Sequence, residues 1–323
     1  MIPEESILKI IRYAAKAPSG HNTQPWRFKT GSDSISVLPD FTRALPVVDP
    51  DNHALYISLG CALENLIIAA NEFNYETKIE FTGDESKPQI IVRLHVAPET
   101  EKSGLFDYIV RRQVTRNKFS NDKIPNNLLR GLFNDTQDEG VQTRLFLSET
   151  EIESLNHYII EGTTRQFSNK AFVDELVSWV RFSEKEVMLK GDGIWTASMG
   201  LPNTGRFVGN IVMKNFITAG SEARRMEKLV TASAGLALFM VNKNDPHHWI
   251  KLGQSFQRFA LKATKYQVSH SHLNMPCEEP EVREKLIFDL QLKELTPLLL
   301  IRFGFSGPMP YSFRRKINDL VDL

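Results

Sequence analysis

The 323-residue chain is short of cysteine, of surplus charge and of long apolar runs. It has two cysteines, Cys61 and Cys277. Two cannot build a disulfide framework, so a reducing compartment and a cytoplasmic location are expected. Its 39 Lys and Arg are matched by 39 Asp and Glu, for a formal net charge of zero. That argues against a surface built on bulk positive charge, and no nucleic-acid partner is expected. Apolar runs such as LTPLLLI (295–301) are far shorter than the ~20 residues of a bilayer-spanning helix, so no membrane partner is expected. The start, MIPEESILKII, has early acids and no basic region ahead of an apolar one, so it does not read as a secretory signal. What is present is ordinary for a packed protein, 41% hydrophobic and 24% charged, which excludes wholesale disorder. At roughly 150 residues per domain the length suggests about two domains.

The chain repeats itself. ALYISLGCALENLIIAANEFNY and HWIKLGQSFQRFALKATKYQV align when Gly60 is placed on Gly253. Leu66 then falls on Phe259, Ala70 on Ala263 and Phe73 on Tyr266, and each segment follows an Asp-Pro pair (Asp49-Pro50 and Asp245-Pro246). Apolar residues recur every three or four positions, which predicts helices with a buried face. PQIIVRLHV (88–96) aligns with PLLLIRFGF (297–305), placing Arg93 on Arg302. Both are short apolar runs opened by proline and read as largely buried strands. A weaker third pair, Ile7 to Gly20 with Asn127 to Gly140, matches in apolar spacing. Three matches in one order imply two related α+β halves, 1–104 and 105–323. The second half carries an extra stretch at about 161–228, read either as a lid or as a surface insertion.

Three segments carry candidate chemistry. APSGHNTQPWRF (17–28) follows an amphipathic helix expected over Ser6 to Lys16. Its Pro and Gly fix a tight path, and its small polar residues and N–H groups can approach a planar ligand; alone it also fits a helix-ending turn. RRQVTRNKF (111–119) sets Arg112 and Arg116 four residues apart, and arginine forks suit phosphate oxygens; alone it also fits a solvated basic stretch. Arg314-Arg315 follows the last expected strand and could close on the same phosphate. His270 and His272, with Cys277 near and His247-His248 upstream, have no convincing fourth ligand, so no metal is expected. Cys61 reads as a small core residue.

These motifs resemble those of the FMN-dependent nitroreductases. APSGHNTQPWRF is similar to their N-terminal APS loop, RRQVTRNKF to their phosphate-binding arginine box, and LLLIRFGF…FRRKINDLV to their last strand and basic tail. In ordinary members the box comes first, and two subunits share each FMN. Here the first half has the loop without a box. The second has the box, but reads Thr136-Gln137-Asp138-Glu139-Gly140-Val141-Gln142 where the loop would stand. Two halves docked as a pseudo-dimer would thus assemble one FMN site and abolish the other. That layout resembles the twin-domain, Acg-like nitroreductase-related branch, as do DPD at 49–51, SAGLALF at 233–239 and the run Gly253 to Thr264.

The resemblance implies a duplicated nitroreductase-like fold of two three-layer α/β/α-type halves with a lid-like insertion. It implies FMN, reduced by transient NAD(P)H and reoxidised by a small electron-poor acceptor such as a nitroaromatic or quinone, with the flavin carrying the chemistry. Pro18, Ser19, Gly20 and Asn22 would contact the flavin. Arg111, Arg112, Thr115 and Arg116 would hold its phosphate with Arg314 and Arg315. Ser271, His272 and Leu273 would pass its ring edge. A monomeric pseudo-dimer is expected, with further dimerisation open. Two alternatives remain at this stage: a protein that stores flavin with little turnover, and a flavin-free relict that serves as an interaction module.

Overall fold

A computed structural model describes residues 2–134, 136–215 and 217–322. The first half opens with α1 (Glu4–Ala14), which buries Ile7, Ile10, Ile11 and Ala14 along one stripe, as its three- and four-residue spacing requires. It lies two residues ahead of the expected span. β1 (Trp26–Thr30), β2 (Ser34–Pro39), α2 (His53–Glu72), β3 (Tyr75–Asp84) and β4 (Lys87–Val96) follow. The strand expected at 88–96 is therefore β4. The second half runs α3 (Asn126–Phe133), β5 (Val141–Phe146), α4 (Glu149–Ser168) and α5 (Lys170–Trp179), then β6 (Val180–Arg181), α6 (Glu184–Lys190), β7 (Ile194–Trp195), α7 (Arg206–Asn215) and α8 (Ala219–Thr231). β8 (Gly235–Val241), α9 (Pro246–Lys265), β9 (Ser269–His272), α10 (Met275–Glu278), α11 (Pro280–Asp289) and β10 (Thr296–Gly304) complete it, and β11 (Val321–Asp322) ends the chain.

The two main sheets have the same strand order. One reads β11-β1-β2-β4-β3 and the other β5-β8-β10-β9. With α2 opposite α9, β1 corresponds to β5, β2 to β8, β3 to β9 and β4 to β10, so the repeats in the sequence occupy equivalent places. The added strand crosses between halves: β11 pairs parallel to β1, with Phe28 opposite Val321, and Leu320 beside it is fully buried. One hydrophobic cluster joins the halves, containing Trp26, Leu59 and Ile90 from the first and Phe239, Phe256 and Phe303 from the second. A second cluster lies on the other face of β8, under α4 and α11. β8 is thus buried on both faces, which suits its uninterrupted apolar sequence.

α2 and α9 cross at the two glycines. A Cβ on Gly60 would sit 2.0 Å from the carbonyl oxygen of Ile250, and one on Gly253 would sit 2.1 Å from that of Ile57. In the repeat alignment Ile57 corresponds to Ile250, so the two approaches are reciprocal, as in the self-complementary interface of a two-fold dimer. α2 also has the length and mean hydropathy (1.4) of a membrane-crossing helix, though no unbroken apolar run marks it in the sequence. Its most apolar stretch is 89% buried within the protein. In the second half, α4 opens with a reciprocal cap, Ser148 and Glu151 satisfying each other's backbone N–H, and packs along α8.

Backbone, not a flexible side chain, blocks any Cβ at the crossing. Gly60→Ala and Gly253→Ala should each cost about 1–3 kcal/mol or more in unfolding free energy, the range for overpacking a core. Urea denaturation checks this; an unchanged midpoint would show that the helices can separate freely.

Candidate functional site

The site is built around the loop after α1. His21, Asn22 and Gln24 all have positive φ (47°, 55° and 53°), a sparsely populated conformation for side-chain-bearing residues that must be held from outside. The hydroxyl of Ser19 accepts the N–H of Gln24 at 2.9 Å. The Asn22 amide donates to the carbonyls of Gly193 (3.0 Å) and Phe313 (3.2 Å), and its oxygen accepts from Arg314 (3.1 Å). Gln24 donates to the Gly191 carbonyl (2.8 Å) and accepts the N–H of Arg315 (2.9 Å). Asp192, between those glycines, binds both Arg181 and Arg43. The loop, the insertion and the C-terminal tail are therefore tied together at one place.

Behind this knot lies a cavity of about 290 Å³. Pro18, Ser19 and Gly20 line it from the first half, and Arg116, Ser271, His272 and Leu273 from the second. Ile57, Ser58 and Cys61 of α2 form its floor, and the insertion covers it with Phe167, Phe172, Leu176, Met199 and Met226. The remaining candidates lie outside the walls. Asn22 uses its side chain in the knot. Thr115 is buried, its N–H on the His270 carbonyl. Arg111 is exposed and offers its carbonyl to Tyr311. Arg315 donates to the carbonyls of Gln24 and Asp319. Arg112 and Arg314 lie off the cavity wall and approach the same loop, with donors on the carbonyls of Lys16 and, for Arg314, also Ala17.

Charge balance sets this region apart. Among the described residues, Arg112, Arg116, Arg302 and Arg314 form no salt bridge with a carboxylate. Arg112 and Arg302 are 5% and 0% exposed. Nε and Nη1 of both, and Nε of Arg314, have no hydrogen-bond partner. Burial first, and then neighbouring arginines, lower their affinity for protons: Arg116 is pushed down to about 10, with Arg225 contributing, and Arg302 to about 9, again with Arg225. Arg314 falls to about 9, with Arg112 contributing. Arg302 donates to the Asn117 carbonyl (2.7 Å) and stacks on Phe119, 3.8 Å from the ring centroid. Buried guanidinium groups without counter-charge are costly, and an anion placed among them is the arrangement that relieves the cost.

Sequence reasoning missed Arg302 as a site residue, although the repeat singled it out by aligning it with Arg93. The two have opposite fates: Arg93 pairs with Glu80 near the surface, while Arg302 is buried on the cavity wall. It also missed His21, Arg225, Glu222, Gln166 and Glu278; most of these lie on the insertion or beside it, where no motif stands. Cys61, expected in the core, is 1% exposed and also reaches the cavity. Asp49, Asp51 and His53 place ligand-type atoms close together. Asp49, however, accepts the N–H groups of Ala54 and Leu55 at the start of α2, and His53 Nδ1 is hydrogen-bonded to Asp51.

Elsewhere between α2 and α9 the polar side chains pair with one another. Arg258 of α9 bonds Glu64 of α2 at 2.7 Å and also pairs with Asp138. The Ser255 hydroxyl donates to Asp138 at 2.9 Å. Asp138, one of the two acids in the Thr136 to Gln142 stretch, therefore belongs to an ion-pair network.

With this geometry in place, the chain proves similar to proteins described as nitroreductases. Over 98% of its length, and 91% of the relative's, it is 20% identical to "Putative NAD(P)H nitroreductase Rv3131" of Mycobacterium tuberculosis. Among solved structures it is similar to a nitroreductase with bound FMN from Bacteroides fragilis, with 13% identity, 67% of this chain and 96% of that one covered, and a TM-score of 0.41. It is also similar to the FMN-dependent nitroreductase NfnB of Mycobacterium smegmatis in complex with NADPH, with 12% identity, 67% and 96% covered, and a TM-score of 0.42. No family model matches the chain.

Acid should loosen this site. Burial, reinforced by Arg116, holds His21 down to about 4 and His272 to about 3, against an ordinary 6.5. The folded state therefore binds fewer protons than the unfolded one below pH 6.5. Stability is intact above that value and falls toward pH 4, by about 1.4 kcal/mol per pH unit for each imidazole that must stay neutral. Urea unfolding at stepped pH measures the slope, and His272→Gln should make it shallower. An unaltered slope in that variant would take His272 out of the account.

Proposed function

We propose that this protein is a flavin oxidoreductase that holds one FMN per chain between its halves and uses NAD(P)H to reduce small electron-poor acceptors such as nitroaromatics or quinones. The observation that carries the reading is a set of four arginines without carboxylate partners: Arg116 and the buried Arg302 line the cavity, and the buried Arg112 and half-buried Arg314 approach its loop from outside the wall. The residues fit the cofactor: unpartnered guanidinium N–H groups suit a phosphate, and the small residues Ser19 and Gly20 leave room for a flat ring against apolar walls. When bound, FMN supplies the hydride chemistry.

The chain's own residues bind, orient and exclude water. Arg112 and Arg314 hold the phosphate, assisted by Arg116. Pro18, Ser19 and Gly20 set one edge of the ring, and backbone groups of Ser271 to Leu273 the other. Asn22 acts indirectly, by fixing Arg314 and the strained loop, and Thr115 by fixing the box to β9. The stretch 161–228 lends aromatic and methionine side chains to the cavity wall. A lid there would favour a second reading, in which flavin is held with little turnover.

The protein as isolated should show a flavin absorption spectrum and release FMN on denaturation. Arg116→Ala should weaken FMN retention by about 1.5–3 kcal/mol, the worth of a charge-assisted hydrogen bond; an unchanged dissociation constant removes Arg116 from the site. NADPH oxidation in the presence of a nitroaromatic or quinone separates the readings, since retained flavin without turnover selects storage. A colourless protein that takes up no added FMN rejects both.

A further inference from the structure

We propose that the end of the cavity walled by Glu278 is a binding subsite for a protonated amine, so that the preferred acceptors are aromatic compounds bearing a cationic nitrogen. The acceptor half of this inference rests on the oxidoreductase reading; the amine subsite rests on the cavity alone.

Glu278 ends the short helix α10 and lines the cavity. Its carboxylate accepts the Gln166 amide at 2.7 Å on one oxygen and the Asn274 amide at 3.2 Å on the other. Among the described residues no Lys, Arg or His forms a salt bridge with it. Burial raises the proton affinity of this carboxyl, the two amides and His53 oppose that shift, and Asp49 adds to it, so a cation bound there would favour the ionised form. A carboxylate has about four acceptor positions, so the two amides leave room on each oxygen. The amides fix the carboxylate in place, and the counter-charge has to come from elsewhere.

The cavity is polarised along its length. Arg116 and Arg302 both feel the charge of Arg225, and Arg225 is paired with Glu222; this is the cationic end. Glu278, Gln166 and Asn274 form the other end. Phe167, Phe172, Met226 and Met275 are among the walls of the same cavity, and they suit an aromatic body. An ammonium group brings three donors and the missing positive charge, whereas an anionic substituent at this end would meet an uncompensated carboxylate. A neutral hydroxyl could use the free acceptor positions but would leave the charge unbalanced.

Calorimetric titration of the purified protein with benzylamine and benzyl alcohol, near neutral pH, tests the subsite without reference to turnover. Benzylamine should bind at least tenfold more tightly than benzyl alcohol. Glu278→Gln should abolish the preference for the amine while leaving benzyl alcohol within about twofold. Equal binding of amine and alcohol by the unsubstituted protein overturns the proposal, as does a preference that survives the substitution. Should the variant not fold, raising the pH through the amine's own ionisation decides the matter on the unsubstituted protein. The preference must vanish there while benzyl alcohol binding stays constant. With FMN bound, kcat/KM for 4-nitrobenzylamine should exceed that for 4-nitrobenzyl alcohol by a similar factor. A protein that keeps FMN but shows no amine preference overturns the subsite alone; one that prefers the amine yet takes up no FMN overturns the flavin reading and keeps the subsite.

Discussion

Everything else in this molecule is arranged around the contact of two glycines. Gly60 and Gly253 let α2 and α9 touch backbone to backbone, a separation that any Cβ would widen. That distance sets how closely the two sheets approach and lets one hydrophobic cluster span both halves. The cavity lies beside the crossing, with Ile57, Ser58 and Cys61 of α2 as its floor and Phe256 of α9 also on its wall. A wider crossing would open the slot between the loop of one half and the arginines of the other. The packing of two helices thus determines the dimensions of a polar site formed outside them.

A two-fold arrangement would produce two such slots, and the side chains remove one. On one side α2 presents Ile57, Ser58 and Cys61 to the cavity, and space remains. On the other, Glu64, Arg258 and Asp138 neutralise one another, with Ser255 and Gln254 adding hydrogen bonds. A charged network buried this way contributes little net stability against an apolar filling of the same volume. It does specify which slot is closed, because an anion entering there would meet two carboxylates. The open slot has the opposite composition, with arginines and, at its cationic end, only the acid that pairs with Arg225.

Much of the fold could be read in the chain because it depends on periodicity. The repeat of the LG helices, the strand at 88–96 and the amphipathic first helix all follow from apolar spacing, which local sequence records directly. Membership of the cavity wall was legible where a motif has a backbone reason, as at Pro18 to Gly20, and at Arg116. It was not legible for Arg302, since a buried arginine in an apolar strand reads the same as the surface Arg93 until the sheet is assembled. Asn22 shows the converse. Its position in the motif suggested ligand contact, yet its amide is engaged by Gly193, Phe313 and Arg314, residues 171 and more positions away. Only the tertiary fold can decide between touching a ligand and holding the residues that do. The apolar character of α2 was hidden for a related reason, because a helix can be apolar on average without an unbroken apolar run, and here that stretch is packed inside the protein.

The unpartnered arginines also constrain the energetics of the whole. Four guanidinium groups without carboxylates weaken the fold that holds them, and burial has already shifted their protonation equilibria downward. The fold tolerates them because the surrounding structure is over-determined. The knot of Asn22, Gln24, Asp192 and the tail fixes the loop from several directions, β11 clasps the chain end to the first sheet, and β8 is packed on both faces. An anion bound there would recover part of this cost by mass action, since it binds the folded state and not the unfolded chain. Rigidity in the two sheets and strain at their junction are therefore complementary: the first keeps the charges apart and unneutralised by the protein, and the second keeps them available to a ligand.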